Sequence, residues 1–113
     1  GGSNIIKLRG RSSFQSPAYN AVKMIEAAMG GEKFTLPAGC YVNHDKLGFK
    51  NVMMAMPTTI DKTGVHFTEP TGTEEELASL AKSYEHLCKM RDEIVELGIV
   101  PPVAEWKEMN PNL

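Results

Sequence analysis

The residues best suited to chemistry lie in the segment Leu8–Tyr19, where a glycine, two arginines and a serine pair lead into a helical pattern. The start of a helix presents backbone N–H groups that have no acceptor within the helix. Together with hydroxyl groups and positive charge, these N–H groups suit a small anionic ligand. We therefore predict that Ser12 and Ser13 donate hydrogen bonds to a carboxylate or carboxamide. A plain helix cap for one hydroxyl is the alternative interpretation.

The histidines, cysteines and methionines are better explained by structural roles than by catalysis or metal binding. We expect all three histidines to be exposed, with structural roles, because no two have metal-ligand spacing and none has the sequence context that positions a catalytic base. The two cysteines lie far apart within apolar patterns typical of buried free thiols. A run of methionines on one strand is typical of core filling. The sequence therefore predicts no catalytic residue and no metal site. These residues are His44, His66, His86, Cys40, Cys88, Met53, Met54 and Met56.

Size and composition are those of an ordinary globular chain. Its 113 residues, 42% of them hydrophobic and 23% charged, predict a single domain with a modest core. The formal net charge of −2 argues against a nucleic-acid partner, which usually requires clustered basic residues. The apolar runs are shorter than the roughly 20 residues that cross a bilayer, and the first residues do not resemble a signal peptide. We expect a cytoplasmic chain without a membrane partner.

Apolar periodicity predicts an amphipathic helix from about Ser13 to Met29, preceded by a β-prone segment at residues 5–8. A serine is placed to cap this helix, a proline fits its first turn, and a glycine pair ends it. The boundary residues are Ser12 or Ser13, Pro17, and Gly30 with Gly31, and the apolar stripe consists of Ala18, Val22, Ile25 and Met29.

The middle of the chain changes to a β pattern. A first strand over residues 34–42 is interrupted by Pro37 and Gly39, which indicate a bulge or a sheet edge. Residues 52–56 and 65–68 give two more strands, connected by a loop at 43–50 and a turn at 61–64. These elements predict a three-stranded antiparallel meander.

The last element is a long helix. Thr73 and Glu76 have the spacing of a capping box, and Gly98 is placed to end the helix before two prolines. The tail from Val103 to Leu113, which contains Trp106, is expected to dock as an arm. The predicted fold class is α+β: a helix, the meander and a long C-terminal helix. The apolar face of that helix consists of Leu77, Leu80, Ala81, Tyr84, Leu87, Cys88, Ile94 and Val95.

Four motifs, in order, resemble the C-terminal half of lactate-dehydrogenase-like bacterial malate dehydrogenases. Ile5–Leu8 with Gly10–Ala18 is similar to the family's Gly-Gly-x-x-Ile-Val-x-Leu followed by Gly-x-Ser-Ala-x-x-x-Pro. Leu36–Val42 is similar to its Leu-Pro-x-x-Ala-Tyr-Leu strand, and Gly48–Pro57 to its Gly-Leu-Lys-Asp-Ile-Tyr-Val-Gly-Val-Pro strand. Lys62–Val65 resembles its Lys-Asn-Gly-Val turn. The resemblance extends from Gly1 to about Ile94 and implies the fold of that family's C-terminal domain.

The resemblance implies that residues 1–113 are the substrate and subunit-contact domain of a longer enzyme. That enzyme would oxidise L-malate to oxaloacetate by hydride transfer to NAD, within the tricarboxylic acid cycle, as a dimer or tetramer. The family's NAD-binding Rossmann domain and its catalytic His-Asp pair have no counterpart in this sequence. The resemblance places Ser12, Ser13 and Pro17 near the substrate and nicotinamide, with Ser13 where the family commonly has alanine.

Two other functions fit the sequence. The chain could be the corresponding domain of a lactate dehydrogenase, because the residue that mainly separates the two enzymes lies outside it. It could also be a small non-enzymatic interaction domain whose Ser12–Ser13 segment binds a peptide or phosphate. We expect the isolated chain to be inactive, and the sequence predicts no function for the tail after Gly98.

Overall fold

The computed structural model describes residues 2–113, which form two compact units. Among these residues, the first unit comprises 2–36 and Thr58–His66, and the second comprises Pro37–Pro57 and Phe67–Leu113. The elements are α1 (Gly2–Arg9), α2 (Gln15–Ala28), β1 (Ala38–His44), β2 (Phe49–Met56), β3 (Thr58–Asp61), β4 (Gly64–Phe67), α3 (Glu74–Glu96), a 3₁₀ turn (Val103–Glu105) and α4 (Trp106–Met109).

In the first unit, α2 has the predicted boundaries to within two residues. Pro17 lies in its first turn, where the missing N–H costs no hydrogen bond. The helix ends before Gly30, whose φ of 94° is left-handed, and this confirms the predicted stop. Beyond α2, Phe34 and Ile60 form an antiparallel bridge and are both buried.

Two predictions for the first unit are wrong. Residues 5–8 are helical rather than β-prone, because α1 satisfies its own backbone and ends with Lys7 and Arg9, which favour a helix C-terminus. The N–H of Gly10, at a left-handed φ of 70°, closes this helix on the carbonyl of Ile6. The expected serine cap of α2 is also absent, since the N-cap residue is Phe14 and no side chain makes a capping hydrogen bond.

In the second unit, β1 and β2 form an antiparallel pair with a buried core on one face. Tyr41 pairs with Met53 and Cys40 with Met54, so alternate residues of each strand share a face. The middle of α3 packs half-buried residues against this face, which confirms the predicted long helix and the central part of its apolar side. Leu77 and Ile94, which were predicted to belong to that side, are exposed. The core consists of Cys40, Val42, Phe49, Val52, Met54 and Met56.

A β-bulge at Lys50 and Asn51 interrupts this ladder, and α3 satisfies the backbone groups that the bulge frees. Asn51 has a left-handed φ of 55°, which is uncommon for a residue other than glycine. The N–H of Lys50 donates to the Tyr84 hydroxyl at 3.1 Å. The Arg91 guanidinium donates to the carbonyl oxygens of Lys50 and Asn51 at 3.1 and 3.0 Å. The Tyr41 hydroxyl donates to the Asn51 side chain. The bulge thus fixes where α3 contacts β2.

The ends of α3 follow the sequence signals. Thr73 and Glu76 form a complete capping box, with both reciprocal hydrogen bonds present. At the other end, the N–H groups of Gly98 and Ile99 donate to carbonyls of the last turn, which is the Schellman arrangement. The tail then folds back through Trp106, as expected for a docked arm.

The α+β class is confirmed, but the predicted three-stranded meander is not what forms. The strands make two separate two-stranded sheets, β1 with β2 and β3 with β4. Pro57, which lacks an N–H, separates β2 from β3. Phe34 does not belong to the first strand, because it bridges to Ile60 instead. The N–H of Thr68, just after β4, donates to the carbonyl of Pro57 at 2.9 Å.

Candidate functional site

Ser12 and Ser13 lie in the loop of residues 10–14, between α1 and α2. The Arg9 guanidinium spans this loop and donates to the Gln15 side-chain oxygen at 3.2 Å. Ser12 is exposed and Ser13 is half-buried. The loop therefore presents two hydroxyl groups between a helix C-terminus and a helix N-terminus, with its ends braced by one arginine.

The start of α2 adds backbone donors to these hydroxyls. The first intrahelical bond runs from the N–H of Ala18 to the carbonyl of Phe14, so the N–H groups of Gln15 and Ser16 have no acceptor within the helix. Pro17, which is exposed, has no N–H to contribute. This arrangement can bind and orient an anionic or carboxamide group, but it contains no group that moves a proton near neutral pH.

The histidines lie apart from this loop in the sequence and have local structural contacts. His86 and His66 are exposed, as predicted. The His66 Nε2 lies 2.8 Å from the Thr63 hydroxyl in the β3–β4 turn. In that turn, hydrogen bonds from the Thr63 side chain and backbone hold the pKa of Asp61 below its usual range. His44 differs from the expectation, because it ends β1, is half-buried and accepts a hydrogen bond from the Leu47 N–H at 3.2 Å.

The sulfur-containing residues have the structural roles that the sequence predicted, with one exception. Cys40 is buried as a free thiol, and Cys88 is a free thiol that is half-buried. Met54 and Met56 belong to the core, whereas Met53 points outward and is 60% exposed. Among residues 2–113, no group of three potential ligands is arranged to hold a metal ion. Nor does any helix in that range have the length and apolar character to cross a membrane.

The surface of α2 is the feature that the sequence pattern did not reveal. Its apolar stripe was expected to face a core, yet Val22, Ile25 and Met29 are 53%, 59% and 83% exposed. Only Ala27 of this helix is buried. The less exposed side of α2 instead follows Asn20, Lys23, Met24 and Ala27, so the spacing of the apolar stripe does not predict which side of the helix is buried.

The fold and the loop together define an α+β domain that can contribute donors to a ligand pocket. The chain belongs to the lactate/malate dehydrogenase, alpha/beta C-terminal domain family, whose sequence model matches residues 1–97. A protein from Geobacillus kaustophilus named malate dehydrogenase is 36% identical over 87 residues, which cover 75% of this chain and 28% of that protein. One of the same name from Sorangium cellulosum is 34% identical over 84 residues, covering 74% of this chain and 26% of the relative. The chain thus spans little more than a quarter of the length of these relatives.

Proposed function

We propose that this chain is the C-terminal substrate and subunit-contact domain of an NAD-dependent malate dehydrogenase. The complete enzyme would reversibly oxidise L-malate to oxaloacetate in the cytoplasm, as a step of the tricarboxylic acid cycle. The observation that supports this most strongly is the family match over residues 1–97, joined by relatives that bear the name malate dehydrogenase. The donor-rich loop before α2 agrees with a substrate role.

In this proposal, Ser12, Ser13 and Pro17 form one wall of the substrate pocket. The serine hydroxyls and the free N–H groups at the start of α2 are donors, which fits both a malate carboxylate and the carboxamide of nicotinamide. Bound NAD would accept the hydride. The residues of this chain would orient the reacting groups, since residues 2–113 bring together no acid/base pair at this loop.

The role of the loop is tested in the full-length enzyme with the double variant Ser12→Ala/Ser13→Ala. We expect kcat/KM for oxaloacetate to fall roughly 10- to 100-fold, because a hydrogen bond to a charged group contributes about 1.5–3 kcal/mol. The matched control is Ser16→Ala, which removes an exposed hydroxyl from the first turn of α2 and should leave kcat/KM unchanged. Equal values for the double variant and the wild type would contradict the proposed wall.

The activity itself is tested at two levels. The full-length enzyme should reduce oxaloacetate with NADH at a far higher kcat/KM than pyruvate, and the reverse preference would make it a lactate dehydrogenase. The isolated 113-residue chain should show no malate-dependent reduction of NAD, because its sequence contains neither a Gly-x-Gly-x-x-Gly loop nor the family's His-Asp pair. Measurable turnover by this chain would contradict that assignment.

The exposed stripe of α2 supports the subunit-contact part of the proposal. A row of apolar side chains that is more than half exposed is typical of a surface that another chain covers. We expect a homo-oligomer, a dimer or a tetramer, in which Val22 and Ile25 become buried. Analytical ultracentrifugation of the full-length Ile25→Glu variant should show dissociation, whereas Glu26→Gln, which keeps a polar side chain at the neighbouring position, should not.

A further inference from the structure

Residues 98–113 lie beyond the part of the chain that matches the family, and their contacts assign them a role. After the Schellman end of α3, the tail runs through Pro101 and Pro102 into a short 3₁₀ turn and α4. The Trp106 indole N–H donates to the Pro101 carbonyl at 2.8 Å, which closes the tail into a compact loop. The tail therefore has a defined shape that one aromatic side chain maintains.

Trp106 also joins the tail to the β1–β2 sheet. Its ring lies against the Tyr41 ring with centroids 6.5 Å apart and planes tilted by 57°, a favourable edge-to-face type of contact. The Tyr41 hydroxyl in turn bonds Asn51 in the bulge, whose carbonyl accepts from Arg91 of α3. A continuous chain of contacts thus connects the tail, the bulge and α3.

Trp106 forms one wall of an apolar groove between β2 and α3. The groove has a volume of about 310 Å³ and remains open on one side. Its apolar lining includes Val52 and Met53 of β2, and Leu87, Met90 and Ile94 of α3. Met53 and Met90 are 60% and 50% exposed, so the groove stays partly in contact with solvent. Among the residues that line the groove, Trp106 is the one that belongs to the tail.

The tail buries little of its own surface and is therefore attached weakly to the rest of the second unit. None of the residues of the 3₁₀ turn or of α4 is buried, and both Trp106 and Tyr41 are only half-buried. The one hydrogen bond of the Trp106 side chain is to its own segment rather than to the sheet. Segments with so little buried surface open locally without unfolding of the core.

We propose that residues 99–113 form a detachable C-terminal strap. In the docked state, Trp106 rests on Tyr41 and forms one wall of the groove between β2 and α3. In the released state, the groove opens while the core beneath it stays folded. The device is independent of the catalytic role proposed above, since it uses only contacts within the second unit.

The chain offers a direct probe of this strap, because Trp106 is its only tryptophan. Docked Trp106 should have blue-shifted fluorescence and be protected from acrylamide, relative to a peptide of residues 98–113. Tyr41→Ala should shift the emission to the red and abolish the protection, while the circular dichroism of the helices is retained. Tyr19→Ala removes an exposed tyrosine of the first unit and is the matched control, with Trp106 emission unchanged. Unchanged emission and quenching in Tyr41→Ala would overturn the anchoring role of Tyr41.

Native-state hydrogen exchange of the unmodified protein tests detachment without any variant. The Asn110 amide, which donates to the Trp106 carbonyl, should exchange through local opening whose rate does not depend on low denaturant concentrations. Amides of β1 and β2 should exchange only through global unfolding. If the Asn110 amide exchanges together with these core amides, the strap is not detachable and the proposal fails. The hydrogen-exchange measurement also tests the proposal if the Tyr41→Ala variant does not fold.

Discussion

The two units use similar apolar patterns in opposite ways. In the second unit, the apolar face of α3 meets the β1–β2 sheet, and the core residues beneath it are nearly inaccessible to solvent. In the first unit, α2 has an equally regular stripe but buries only Ala27, and Val22 and Ile25 are more than half exposed. The comparison teaches that helical periodicity identifies a face and leaves open whether the same chain covers it. The uncovered face is where we place the subunit contact.

The largest expected difference between the units is in the cost of truncating an apolar side chain. Met56 is 1% exposed, so Met56→Ala should lower the free energy of unfolding by about 2–5 kcal/mol. Ile25, at 59% exposure, should lose no more than about 0.5 kcal/mol as Ile25→Ala in the isolated chain. Urea denaturation measures both. Similar costs would mean that the Ile25 side chain is covered in the isolated chain and would end the contrast.

A second difference concerns polar contacts. At the bulge they satisfy backbone carbonyl groups, whereas on α2 they lie on the exposed surface. Burial disfavours the charged guanidinium of Arg91, but its hydrogen bond to Asp92 leaves the net pKa raised, so the donor stays charged. Arg91→Ala leaves the bulge carbonyls without this donor and should cost about 1–3 kcal/mol in urea denaturation. Lys23→Ala breaks an exposed ion pair with Glu26 and a cation–π contact with the Tyr19 ring, and should cost less than about 1 kcal/mol. A reversed order would contradict this assignment.

A third difference lies in how the two main helices begin. Thr73→Ala removes the cap of α3 and should cost about 0.5–2 kcal/mol of stability. Ser13→Ala should have no such effect on α2, since no side chain caps that helix. Thermal unfolding followed by circular dichroism provides the measurement, with Thr71→Ala as a control at an exposed position before α3. A loss of stability in Ser13→Ala would show that a serine caps α2 after all.

The smallest expected effect is a pH dependence that both units share. The backbone and side-chain hydrogen bonds of Thr73 lower the pKa of Glu76 from 4.5, and those of Thr63 lower the pKa of Asp61 from 3.8. Because each folded-state pKa is depressed, the stabilisation is fully present above the unfolded pKa and is lost as the pH falls through the folded one. NMR titration should therefore show both carboxylates ionising below these reference values, and the first turn of α3 fraying in acid. Unshifted titration of Glu76 would argue against a populated capping box.

Local signals in the sequence predicted the parts of the fold that depend on neighbours in the chain. The capping box and Gly98 bounded α3, and Pro17 and Gly30 bounded α2, because each acts within a turn of its own position. Residues 5–8 were misassigned because a short apolar run suits either a strand or a helix. The strand pairing was misassigned because it depends on partners that are distant in sequence, such as Phe34 and Ile60.

The sequence predicted which residues form the candidate site but not how their side chains are arranged. The sequence placed Ser12 and Ser13 before a helix, which the structure bears out, but the brace from Arg9 to Gln15 depends on side-chain geometry that no spacing rule supplies. The same holds for the bulge at Asn51, where a left-handed residue within a strand is revealed only by its partners on α3. The docking of Trp106 was expected in outline, and its partner Tyr41 was not.

The hydrogen bond between the Thr68 N–H and the Pro57 carbonyl bears on how the chain of this domain could be divided into smaller folding units. It holds the two ends of residues 58–67 side by side, so the β3–β4 hairpin resembles an insertion into the chain of the second unit. Joining Pro57 to Phe67 through a short glycine-containing turn would close only a small gap, for which the loop entropy is modest. A minimal protein of residues 37–57 and 67–113, which keeps Phe67 on the core, is therefore a rational starting point for domain engineering.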